Sequence, residues 1–168
     1  QTDPDDYIRD IKIVHEDFLT LDEVGATFNP FWLDEVADRR SLRFMDWMYT
    51  NGSVQQVWED RPLVSDFSWA WRGVPMEVMV DLANQVAADP WFNMPHMADD
   101  TYVENFATYV EANLDPGLRT YIEWSNEAWN FIFSQTHWAI KQARERWGED
   151  SGDDAWMQFV GLRSAEVM

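Results

Sequence analysis

Residues 121–130 read YIEWSNEAWN. An apolar, aromatic run of strand character gives way to Ser125-Asn126-Glu127, with Trp124 on one side and Trp129 on the other. One reading is a helix start, because Ser and Asn cap helices and a Glu suits the first turn. The other is a carboxylic acid placed at a strand end for catalysis, over a tryptophan floor on which a sugar ring can stack. The chain around this stretch has to separate the two.

Three further strand-like runs precede it, and each run is followed by a helical pattern. IKIV at 11–14 is apolar and β-branched, and NPFWLDEVAD at 29–38 follows with Asn29 as cap and Pro30 at the first helical position. SLRFMDW at 41–47 is the second run, then a long polar and aromatic loop over 48–74 and a helix over 75–88. PWFNMP at 90–95 is the third, followed by a helix over 99–113 and a DPG turn at 115–117. The run containing the opening stretch, 119–125, is the fourth; helices over 132–147 and from Asp153 to Met168 come after it.

Strands alternating with helices predict an α/β fold with a parallel (βα)-repeat sheet and helices outside. Polar and aromatic residues gather where the runs end: Asp46 and Trp47, Asn93 and His96, Asn126 and Glu127. In parallel α/β folds the carboxyl ends of the strands carry the site. The helical pattern runs to Met168 without a Gly or Pro stop, and four βα units are half of a barrel that takes roughly 250 residues. The expectation is therefore one (βα)4 unit over residues 1–168, the N-terminal half of a larger TIM barrel. A complete four-stranded open sheet is the alternative.

Composition narrows the function. A net charge of −19 in 168 residues repels nucleic acid and anionic membrane surfaces. No apolar run reaches the roughly 18 residues of a membrane span. With no Cys there is neither a disulfide framework nor a thiolate metal site, and His15, His96 and His137 show no ligand spacing, so neither metal nor cofactor is expected. No glycine-rich phosphate-binding motif occurs. Eleven Trp is more than a core of this size needs, and a flat apolar ring with one polar edge suits a half-wet site that stacks on sugar C–H faces.

Taken in order, LRFMDWMYTNGS, ADPWFNMPHMADD and YIEWSNEAWN resemble a group of bacterial secreted proteins described as cellulose-binding or glycoside-hydrolase-like, over roughly residues 40–135. E-x-x-N-E at Glu123–Glu127 resembles the fourth barrel strand of clan A glycoside hydrolases such as the family five cellulases. The resemblance implies a retaining mechanism. Glu127 would be the general acid/base, Asn126 would hydrogen-bond the sugar 2-hydroxyl, and Arg43 and His96 would line the site. It also implies an extracellular or cell-surface protein with a polysaccharide or oligosaccharide as partner. The nucleophile of the family lies on strand seven, outside this chain, whereas a retaining site needs two carboxyl groups roughly 5–5.5 Å apart.

Residue by residue, the expectations are these. Glu127 as an acid needs desolvation, which Trp124 and Trp129 would supply. Glu123, on the same strand, needs a partner if buried, and Arg43 is the expected partner in a structural ion pair. Asp46 either binds sugar hydroxyls or caps a loop. Asn93 and His96 line the end of the third run. Trp47, Trp91, Trp124 and Trp129 either stack on sugar or pack the barrel top; Trp58, Trp69 and Trp71 sit in the long loop, which could wall a glycan cleft. Against the hydrolase stand two alternatives, a non-catalytic glycan-binding protein using the same cleft, and a half-barrel whose open strand edges pair with the missing half or with a second copy.

Overall fold

The computed structural model describes Asp5 and residues 11–168, which fall into two compact units that divide between Glu35 and Val36. In the first, a 3-10 turn at Glu16–Phe18 leads into a one-turn helix, α1 (Leu19–Glu23). Helix α2 (Pro30–Val36) starts as expected, with the Asn29 Oδ1 accepting from Phe31 N at 2.9 Å.

The run 11–14 is not a strand. It has no ladder partner among the described residues, and Ile11 and Ile13 are 73% and 94% exposed. Apolar β-branched residues favour extended backbone, but a strand exists only when a neighbour accepts and donates its hydrogen bonds. The expected four-stranded unit therefore has three strands among the described residues.

The second unit carries those three strands, β1 (Ser41–Arg43), β2 (Asp89–Met94) and β3 (Tyr121–Trp124), all parallel in the order β1-β2-β3. Helices α3 (Met76–Val86), α4 (Asp100–Asn113), α5 (Ser134–Trp147) and α6 (Ala155–Val167) alternate with and follow them. The α/β class with a parallel sheet is thus present. The helix starts follow local chemistry: Pro75 precedes α3, and the Asp99 carboxylate caps α4 by accepting from Tyr102 N at 2.7 Å. The run expected at 41–47 is shorter, because the chain turns at 45–49 once Phe44 N has bonded Trp91 O at 2.9 Å.

Register sorts the side chains. Arg43, Trp91 and Tyr121 are level with one another, as are Asn93 and Glu123, and this set shares one face. Leu42, Pro90, Phe92, Met94, Ile122 and Trp124 alternate to the other. That second face is the core. Phe92 is fully buried, stacked on Phe44 at 5.6 Å and edge-on to Phe106 at 5.0 Å, and Trp124 lies against Trp138 and Phe159 at 6.1 Å each. The first face is wetter: Tyr121 is exposed, and the Arg43 and Glu123 side chains are about a third exposed.

The long loop after β1 is tied down. Val74 N bonds Trp47 O at 2.6 Å, Thr50 Oγ1 bonds Asn93 O at 3.2 Å, and Gln55 accepts from the Tyr102 hydroxyl at 2.8 Å while donating to Arg72 O at 2.9 Å. Among the described residues no helix is long and apolar enough to cross a membrane.

Candidate functional site

The carboxyl ends of the three strands converge on Glu123. Its Oε2 accepts from Arg43 Nη2 at 2.7 Å, from Arg43 Nε at 3.3 Å and from Asn93 Nδ2 at 2.7 Å. One residue each from β1, β2 and β3 meets at this oxygen, and the Arg43 guanidinium also lies 5.3 Å from the centre of the Trp91 ring. Arg43 and Glu123 are the ion pair read from the sequence. A partly desolvated carboxylate with three donors on one oxygen is anchored, which suits a structural role.

The pair extends outward. Arg43 Nη2 also donates to Asn126 Oδ1 at 2.9 Å, and Asn126 Nδ2 donates to Asn51 Oδ1 at 3.0 Å. Gln135, fully buried at the start of α5, donates through Nε2 to Asn51 Oδ1 and to Asn126 O, both at 2.7 Å, and accepts from Gly52 N at 3.2 Å. Asn51 and Gln135 were not among the residues singled out from the sequence. Asn51-Gly52 is visible only as a turn signal, and a Gln in the first turn of a helix carries no signal at all.

After β3 the backbone leaves ordinary conformations. Ser125 has φ 59° and Glu127 has φ 42°, either side of Asn126. Left-handed backbone costs a residue with a side chain roughly 1–2 kcal/mol and persists only where the surroundings impose it. The result is a sharp turn that ends the strand and sends Glu127 out half-buried, its Oε2 accepting from Asn130 Nδ2 at 2.9 Å. The helix-cap reading of Ser125-Asn126-Glu127 is displaced by this geometry, because α5 begins only at Ser134 and Phe133 precedes it.

The remaining expected site residues divide. Trp129 is 64% exposed and sits two residues beyond Glu127, available for stacking. Asp46 is exposed in the turn after β1, and Trp47 is half-buried with its ring 5.5 Å from Phe44. Asn93 is fully buried, and its amide hydrogens go to Glu123 and to Ser125 O at 2.9 Å, so it braces the site rather than facing a ligand. Trp124 is a correction: expected to floor the site, it is 5% exposed in the aromatic core, because period-two alternation turns it away from Glu123. His96 is the second correction. It is 2% exposed, edge-on to Trp138 at 5.9 Å, and burial pushes its imidazole down to about 4, so it is a neutral packed ring and not a wall of the site.

Among the described residues no group of three or more His, Asp or Glu is placed to hold a metal ion. No family model, no curated protein and no solved structure matches this chain.

Proposed function

We propose that this chain is a carbohydrate-active protein of the retaining β-glycoside hydrolase type, with Glu127 as general acid/base. The observation that carries the reading is the strained turn that ends β3. It places Asn126 in a network with Arg43 and Glu123, and Glu127 one residue on, at the carboxyl ends of three parallel strands. In this reading Glu127 gives its proton to the leaving glycosidic oxygen and then takes one from water, and Asn126 meets the sugar 2-hydroxyl. Trp129 offers a ring face to the pyranose beside it. The three βα layers are part of a larger barrel, the nucleophile is supplied by residues outside this chain, and the natural setting is extracellular, where an insoluble or oligomeric β-glucan is met.

A non-catalytic glycan-binding protein is the second reading, favoured by the exposure of Trp129 and Tyr121 and by a Glu123 carboxylate whose Oε2 is taken up in bracing Arg43 and Asn93. One experiment separates the two. The full-length protein and its Glu127→Gln variant are assayed on soluble β-glucan, β-mannan and xylan, with binding followed in parallel by calorimetry. Hydrolysis by the wild type that the variant loses while keeping its fold and its binding supports the enzyme. Binding without turnover in both supports the second reading, and equal hydrolysis in both removes Glu127 from the mechanism.

A further inference from the structure

We infer that Gln135 is the positioning residue of this site: it sets the polarity of the amide network that orients Asn126 and, through the Asn126 peptide, the direction of Glu127. As a statement about catalysis this rests on the reading of Glu127 given above; as a statement about orientation it does not.

The argument is one of donors and acceptors. Gln135 meets two backbone groups whose chemistry cannot be exchanged. Gly52 N is a donor and lies 3.2 Å from Oε1, and Asn126 O is an acceptor and lies 2.7 Å from Nε2. These two contacts fix which way round the Gln135 amide stands. Its NH2 then demands an acceptor from Asn51, which presents Oδ1 at 2.7 Å. The same Oδ1 accepts from Asn126 Nδ2 at 3.0 Å, which leaves Asn126 Oδ1 turned to Arg43 Nη2 at 2.9 Å. Each amide is thereby set by the one before it, from a fully buried helix residue to the guanidinium that grips Glu123. A partly buried network anchored on a fully buried amide in this way favours one arrangement.

The second consequence is mechanical. Gln135 ties the loop after β1, through Asn51 and Gly52, to the carbonyl of Asn126, the residue flanked by the two positive-φ positions Ser125 and Glu127. A turn that stores left-handed strain at two side-chain-bearing residues needs outside bonds to hold it. Gln135 supplies the bond to the peptide in the middle.

The test uses Gln135→Leu, which removes the network's origin, with Asn51→Leu and Asn51→Asp as a matched pair on the partly exposed loop. Asn51→Asp keeps an acceptor for both amides and is the conservative rescue. In the full-length protein, side-chain amide resonances of Asn126 and backbone couplings of Ser125 and Glu127 are read by NMR. The expected result is that Gln135→Leu and Asn51→Leu both shift the Asn126 amide and move Ser125 and Glu127 off their positive-φ values, whereas Asn51→Asp leaves both as in the wild type. On a β-glucan that the wild type hydrolyses, the two Leu variants lose about 100-fold in kcat with KM little changed, since misplacement of an attacking or proton-donating group costs the transition state and not ground-state binding. Unaltered Asn126 resonances and couplings in Gln135→Leu, or an Asn51→Asp variant as disturbed as Asn51→Leu, overturn the inference. A wild type that hydrolyses no glycan overturns the enzymatic reading instead, and the NMR comparison still decides the role of Gln135.

Discussion

Arg43 and Glu123 are 80 positions apart in the chain and sit on strands that do not touch, yet Nη2 and Oε2 are 2.7 Å apart across β2. Register makes this possible, because Arg43 is level with Trp91, and Asn93, one step further up the same face, is level with Glu123. The pair is only about a third exposed. Removing Arg43 (Arg43→Met) leaves a partly desolvated carboxylate with Asn93 as its remaining donor, at an expected cost of about 2 kcal/mol. Glu123→Gln in the Arg43→Met background should recover part of that loss. A double-mutant cycle by urea denaturation measures the coupling, and additive losses would show that the pair contributes nothing to stability.

Ser125 is the clearest candidate for a stabilising change. It combines φ 59° with complete burial and a hydroxyl that has no hydrogen-bond partner among the described residues. Ser125→Gly removes the strain and the unpaired hydroxyl together, against the larger entropy of Gly in the unfolded chain. The expected net gain is about 1 kcal/mol. Chemical denaturation of this variant should show a higher midpoint; a lower one would mean that the hydroxyl is bonded in solution.

Gly73 is expected to tolerate no side chain. A Cβ there would lie 2.4 Å from Trp47 O and 2.8 Å from Met48 C, on backbone at φ +97°, beside the bond from Val74 N to Trp47 O. Both contacts are backbone, so neither can swing aside. Gly73→Ala should cost at least about 3 kcal/mol and loosen the loop from 48 to 74, read as a drop in the thermal midpoint and faster amide exchange in that loop.

His96 gives a pH dependence with a definite sign. Its folded pKa, about 4, lies below the ordinary 6.5 because the ring is buried beside Trp138. Between those values the unfolded chain holds the proton and the native chain does not. The stabilisation is whole above pH 6.5 and falls as pH drops toward 4, by about 3 kcal/mol in all. Comparing the wild type with His96→Phe from pH 7.5 to 4 isolates this contribution, because the slopes of the two curves should differ only in that window.

Trp129 and Trp124 should behave as opposites. Trp124→Ala empties a core position between Trp138 and Phe159 and is expected to cost about 3–5 kcal/mol. Trp129→Ala, at 64% exposure, should change stability by less than about 0.5 kcal/mol while weakening binding to soluble β-glucan. Unchanged glycan binding in Trp129→Ala would remove that ring from the proposed site.

The sequence by itself determined the elements whose causes are local. Asn29-Pro30, Pro75 and Asp99 mark helix starts by capping chemistry, and the helices begin there. Alternation of runs and helices gave the α/β class, and the strand-end position of Asn126 and Glu127 followed from the abrupt change of character after Trp124. The charge need of Glu123 pointed to Arg43 because a half-buried carboxylate requires a cation. What only the tertiary structure decided depends on partners distant in the chain. Ile11–Val14 has the composition of a strand but, among the described residues, no neighbour to complete its hydrogen bonds. Trp124 and His96 look like site residues until packing places both against Trp138. Asn51 and Gln135 are ordinary polar residues until the loop after β1 meets the start of α5. Positive φ at the two residues that flank Asn126 cannot be read from Ser-Asn-Glu, because that strain is imposed by bonds from elsewhere and not by the residues that bear it.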